Sequence, residues 1–142
     1  MINLFFEEIK PITLDCSFYE QWLSSVCKDE RKKLDQVNLI FCSDEYLLNM
    51  NREYLQHDYY TDIISFDYCE GKLISGDLFI SRDRVEENAG NNQVKFLVEL
   101  NRVIVHGVLH LCGYKDKTEK EAQGMRSKED YYLSKIVSRE TI

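Results

Sequence analysis

The sequence predicts an α+β fold, one small mixed sheet covered by helices, on three observations. Strand-like and helix-like runs mix without the strict alternation of a parallel α/β protein. The runs over 63–68 and 73–81 are separated by a Glu70-Gly71-Lys72 turn, which makes them a hairpin. The length of 142 residues, 44% hydrophobic and 30% charged with six Gly and one Pro, suits one domain, 1–142, and leaves no stretch for a linker.

The elements follow in order. Residues 2–6 (INLFF) read as a strand. Ser17 with Glu20 has the form of a capping box and opens a helix to about Lys33. A second strand covers 37–41 (VNLIF). Ser43 then caps a helix through about Leu55, with Asp44 and Glu45 set against its positive N-terminal end. In the second hairpin strand, Gly76 marks a bulge or a close backbone approach. A short helix over 82–89 ends at Gly90. From Gln93 the period is helical: Val94, Leu97, Val98, Val105, Val108 and Leu109 share a face, and Gly113 stands where the helix stops. Thr118 with Glu121 is another capping box, opening a last helix whose Ala122, Met125, Tyr132, Leu133 and Ile136 fall on one side.

Composition narrows the function classes. No apolar run is long enough to span a bilayer, and the N-terminus MINLFFEEIK lacks the basic region of a secretory signal, so a soluble cytoplasmic protein without membrane partners is expected. Five cysteines with no CxxC pair read as reduced thiols in a reducing compartment. The net charge of −7 argues against a generic nucleic-acid binder. That charge is uneven, however. Residues 1–70 carry 6 basic and 14 acidic side chains (−8), and residues 71–142 carry 12 and 11 (+1). Within 95–128 seven basic residues face four acidic ones, so one region of an acidic protein can meet an anion.

Two of the three histidines, His106 and His110, lie four residues apart on the 93–112 helix. That spacing puts both rings on one face, where both can reach one metal ion. Glu99 and Arg102 continue the stripe toward the N-terminus. Gly107 between the histidines costs about 1 kcal/mol relative to Ala, which either a bare backbone beside a metal or close packing explains. The position that carries a Glu in the HExxH peptidase motif is Gly107, so the peptidase base is missing. The turn Gly113-Tyr114-Lys115-Asp116 can return Asp116 to the histidine face. Two imidazoles and one carboxylate form a three-ligand site with an open position, the arrangement of catalytic zinc. Cys112 is a rival ligand, but its spacing from His110 points it off that face, as a core cysteine.

The run His106-Gly107-Val108-Leu109-His110-Leu111-Cys112-Gly113-Tyr114 resembles HGxLHLxGYDH, the signature of the YbeY family of bacterial metal-dependent endoribonucleases. Asn51-Arg52-Glu53-Tyr54, Asp58 and Thr61-Asp62-Ile63-Ile64-Ser65-Phe66 are similar to its NxxYRxxDxPTDVLSF segment. Gly76-Asp77-Leu78-Phe79-Ile80-Ser81 resembles its GDI-type strand, and Met125 and Glu129 resemble its C-terminal helix. The likeness spans residues 35 to 135 or so. It departs at three places: Asp116 stands where the family has a third His, with Lys115 for the preceding Asp; Leu55 stands for the Arg of YRxxD; Tyr60 replaces a Pro.

The resemblance implies a single-strand-specific endoribonuclease in rRNA processing, at the 3′ end of the small-subunit 16S rRNA, and in ribosome quality control. Its partners would be single-stranded RNA and the ribosome or small subunit. One Zn²⁺ per chain is expected on His106, His110 and Asp116, with other divalent transition metals compatible. Arg102 and Asp62 are the catalytic candidates, His57 a weaker one, and Arg102 and Lys115 the candidates for binding the substrate. Three other readings fit the same residues: a non-catalytic metal-binding ribosome-assembly factor, a hydrolase of another phosphoester, and, less well, a non-haem iron oxygenase.

Overall fold

The computed structural model describes residues 1–136, so residues 137–142 of the expected domain lie outside the described residues. Its elements are β1 (Ile2–Glu7), α1 (Cys16–Asp29), β2 (Lys33–Cys42), α2 (Asp44–Leu55), β3 (Ile63–Asp67), β4 (Leu73–Ser81), α3 (Arg82–Asn91), α4 (Phe96–Leu111) and α5 (Glu119–Ser134). The strands form one mixed four-stranded sheet in the order β1-β2-β4-β3. β1, β2 and β4 run parallel and β3 pairs antiparallel with β4 at the edge, so the fold is the expected α+β.

The period of two along each strand divides the sheet into two faces. Val37, Leu39 and Phe41 of β2 and Ile74, Leu78 and Ile80 of β4 are buried in one large core with Leu23 and Val26 of α1 and Leu100, Ile104, Val108 and Leu109 of α4. On the other face Cys42 and Ile64 bury against Leu47 of α2, with Tyr46, Met50, Phe66 and Phe79 around them. Helix α4 lies close on the sheet because of Gly107. A Cβ there would stand 2.7 Å from Ile63 Cδ1 and 2.8 Å from Leu78 Cδ1, so close packing is what the glycine serves. Gly76 is likewise a close approach, since a Cβ would come within 2.5 Å of the Phe66 carbonyl oxygen.

The structure shifts several expected boundaries. α1 is capped by Asp15, whose carboxylate accepts from Phe18 N at 3.2 Å, and not by Ser17. It ends at Asp29 because Arg31 takes a left-handed φ of 61°, and Lys33 already pairs with Leu73. β2 is therefore longer than its apolar stretch: sheet pairing carries its polar first residues. α3 runs through Gly90 to Asn91 and stops where Gln93 turns left-handed (φ 56°). α4 begins at Phe96, three residues later than its periodicity suggests, and Val94 and Leu97 of the expected apolar stripe are exposed. Glu99, expected on the polar stripe, is buried and accepts from Asn92 Nδ2 at 3.4 Å. Ser43 caps α2, and Gly113 (φ 108°) follows α4. Both halves of the Thr118–Glu121 capping box are present, as read from the sequence. All five cysteines are free, and no helix among the described residues is long and apolar enough to cross a membrane.

Candidate metal centre

His106 and His110 are adjacent rungs on the outer stripe of α4, and the turn after Gly113 brings Asp116 over them. The two Nε2 atoms lie 3.0 Å apart, and Asp116 Oδ2 is 3.3 Å from each. Among the described residues these form the group of His, Cys, Asp and Glu that can hold a metal ion.

Both rings are fixed from behind. His106 Nδ1 donates to Glu129 Oε2 at 2.6 Å, and His110 Nδ1 donates to the Tyr114 carbonyl at 2.9 Å. In neutral imidazoles these bonds put the single proton on Nδ1 and leave a bare lone pair on each Nε2. Two lone pairs and a carboxylate oxygen thus face one another with no hydrogen between them, an arrangement that a cation stabilises. The separations also fit. Donors about 2.1 Å from a tetrahedral Zn²⁺ lie about 3.4 Å apart. By chemistry and spacing the donor set fits a divalent transition metal.

In the metal-free protein a proton can take the cation's place. Burial opposes the charged form of His106, but the Glu129 hydrogen bond and the charges of Glu129, Asp116 and Asp62 outweigh it and raise its pKa above the ordinary 6.5. The stability that protonated His106 contributes is therefore fully present below 6.5 and is lost as pH rises through the higher folded value. Metal coordination has the opposite dependence, because it needs the bare Nε2. Thermal melts of metal-free and metal-loaded protein between about pH 6 and 8 should show the stabilisation by metal growing with pH; an increment that stays flat would contradict this assignment.

The turn that carries Asp116 is anchored in the core. Tyr114 donates its hydroxyl to Glu30 Oε1 at 2.7 Å, and Lys128 Nζ reaches Glu30 Oε2 at 3.1 Å. Tyr132 also donates to Glu30. Burial works to raise the Glu30 pKa, but these three donors outweigh it and hold the carboxyl below its usual range. The end of α1, the turn and α5 are thereby tied together under the cluster.

A groove of about 640 Å³ opens onto the cluster. Its walls include Asn51, Leu55, His57, Tyr59, Asp62 and Lys117 as well as His106, His110 and Asp116. Asp62 also lines a second hollow, of about 250 Å³, with Arg102, His106 and Glu129. Burial, opposed by the charge of His106, pushes the Asp62 carboxyl above its usual range. Together, this cluster and groove carry the features of an open hydrolytic metal site.

Comparison with known proteins agrees. The family description "Endoribonuclease YbeY" matches residues 7–137. The chain belongs to the YbeY family. The protein named Endoribonuclease YbeY from Flavobacterium johnsoniae is 52% identical over 130 residues, covering 92% of this chain and 93% of that one. Its namesake from Porphyromonas gingivalis is 43% identical over 141 residues, covering 99% and 92%. A Thermotoga maritima protein solved in solution superposes with a TM-score of 0.67 at 27% identity, covering 98% of this chain and 91% of that one.

Within this YbeY chain the remaining candidates occupy distinct places. Arg102 sits one turn before His106, but its guanidinium is engaged, donating to Glu129 Oε1 at 2.9 Å and Asp130 Oδ1 at 2.7 Å. Lys115 is exposed, and the lysine that lines the groove is Lys117. His57 holds the Tyr59 hydroxyl at 2.9 Å and stacks on its ring. Leu55, where the YbeY pattern has Arg, is a half-exposed wall of the groove, and the neighbouring Arg52 pairs with Asp58. Tyr60 donates to Glu45 and lies under the Arg84 guanidinium. Cys112 packs against the core with its thiol on that of Cys27 and is not among the converging donors. Sequence reading missed Glu129 as part of the site. Its signal was a glutamate between Met125 and Tyr132 on the apolar side of a helix, where a carboxylate needs a partner.

Proposed function

We propose that this chain is a cytoplasmic, zinc-dependent endoribonuclease of single-stranded RNA, acting on the 3′ end of small-subunit 16S rRNA and in ribosome quality control. The observation that carries the proposal is the convergence of His106 Nε2, His110 Nε2 and Asp116 Oδ2 at the end of an open groove. A site that only stabilised a ribosome-assembly factor would be expected to be closed by a fourth protein ligand, so the open side favours catalysis over that reading. Zn²⁺ held by these three atoms would supply Lewis acidity toward a phosphoryl oxygen and a water acidic enough to ionise near neutral pH.

The chain's own residues supply the rest. The Asp62 carboxyl, whose pKa burial raises above the usual carboxylate value, lies beside the ligands and carries a proton to or from the reacting oxygens. Lys117 offers its ammonium to phosphates along the groove, with Lys115 beside it on the exposed turn. Arg102 adds positive charge in the smaller hollow, shared with its two carboxylate partners. The exposed Tyr59 ring gives an unpaired base a surface to stack on, which a duplex does not offer.

The test is cleavage of a precursor-rRNA 3′-end fragment by the metal-loaded protein, free and annealed to a complementary strand. Cleavage of the free fragment alone, lost on chelation and restored by Zn²⁺, is the expected result. Asp62→Asn should keep the metal and slow cleavage by about 10²–10⁴-fold. No cleavage of either form would return the assembly-factor reading.

A further inference from the structure

Glu129 is 4% exposed, yet it belongs to neither the groove wall nor the converging ligands. Its two oxygens are divided between residues one turn apart on α4. Oε2 accepts from His106 Nδ1 at 2.6 Å, and Oε1 accepts from Arg102 Nη1 at 2.9 Å. Arg102 is held from its other side by Asp130 at 2.7 Å, so Arg102 and Asp130 fix the plane of the Glu129 carboxylate. The result is a chain of contacts from Asp130 through Arg102 and Glu129 to His106.

We infer that Glu129 is a positioning residue of the metal centre, fixing the His106 tautomer that aims the Nε2 lone pair at the ligand position, with Arg102 as its clamp. This rests on the reading of the cluster as a metal site. A free imidazole prefers its proton on Nε2, the wrong nitrogen here, because Nε2 faces His110 and Asp116. A hydrogen-bond acceptor at Nδ1 reverses that preference and lowers the cost of binding metal. His110 has its own acceptor in the Tyr114 backbone carbonyl, which no side-chain substitution removes. Orientation of the two histidines is therefore divided: one is fixed by the turn and the other by α5. Arg102, on the same stripe as the histidines, acts first through Glu129.

The experiment compares wild type, Glu129→Gln, Arg102→Lys and His110→Ala. Zinc affinity is measured by competition with a chromophoric chelator, and the His106 tautomer by ¹⁵N NMR of the metal-free protein at mildly alkaline pH. Glu129→Gln keeps the shape and one hydrogen bond but loses the charge, so zinc affinity should fall about 10–100-fold. The His106 signals should move from the Nδ1–H form toward the Nε2–H form. Arg102→Lys keeps the charge but loses the fork, and should shift both readouts in the same direction by less. Wild-type affinity with an unmoved tautomer in Glu129→Gln overturns the inference. Should that variant fail to fold, unchanged affinity in Arg102→Lys overturns it instead. If His110→Ala also binds zinc like wild type, the metal-site reading itself fails, which separates the two claims.

Discussion

His110→Ala should abolish RNA cleavage while leaving the fold intact. The variant removes one of three converging donors and leaves His106 and Asp116, too few to hold a transition metal in a catalytic geometry. It also removes the Nδ1 hydrogen bond to the Tyr114 carbonyl, which ties the ring to the turn carrying Asp116. A metal contributes several kcal/mol to stabilising a phosphoryl transition state, and each ~1.4 kcal/mol is a factor of ten. Cleavage should therefore fall by at least about 10³-fold, together with bound zinc. The His110 side chain is 30% exposed and contributes little to the core, so the circular dichroism spectrum and the cooperativity of unfolding should be preserved. Loss of activity with zinc still bound would place the metal elsewhere.

Gly76→Ala should be strongly destabilising for a single added methyl. The added Cβ meets the Phe66 carbonyl oxygen at 2.5 Å and the two δ-carbons of Leu111 at 3.0 and 3.2 Å. The Leu111 methyls can give way; the carbonyl belongs to the antiparallel β3–β4 ladder and moves only if Phe66↔Asp77 and Asp67↔Gly76 separate. Overpacking of this kind costs about 1–3 kcal/mol, and a backbone contact puts it at the upper end. Thermal unfolding should show a midpoint lower by several degrees. Because β3 follows directly from Asp62 and lines the groove, metal-dependent cleavage should weaken as well. At Gly107, by contrast, the three atoms nearest the added methyl are side-chain δ-carbons of Ile63 and Leu78, and the gain in helix propensity offsets part of the strain. Gly107→Ala should be the milder of the two. Equal losses at the two positions would argue against the backbone contact as the cause.

Local chemistry made much of this legible in advance. The His106–His110 pair needed only the helical period, and Asp116 only the length of the turn after Gly113. Ser43 and the Thr118 capping box were likewise readable, because each depends on residues a few positions apart; Gly76 stood out as a glycine inside a strand, although the Phe66 carbonyl that it meets is ten residues away. What the sequence hid is long-range. Arg102 reads as a free cation beside the histidines, and nothing nearby in the chain announces Glu129 and Asp130 as its partners. Glu99 reads as solvent-facing until Asn92, at the end of α3, is found against it. The polar start of β2 has no strand pattern of its own and is ordered by pairing with β4. The surface that Lys117 contributes to the groove depends on how the 113–118 turn is pinned to Glu30, more than eighty residues earlier in the chain.

Whether His106, His110 and Asp116 form a metal centre is decided by anomalous diffraction from crystals grown with zinc. One strong peak per chain is expected above the zinc edge, about 2.0–2.2 Å from His106 Nε2, His110 Nε2 and an Asp116 oxygen, with one coordination position open to the groove. A cluster without a peak in zinc-saturated crystals, or a peak held by other residues, would contradict the assignment.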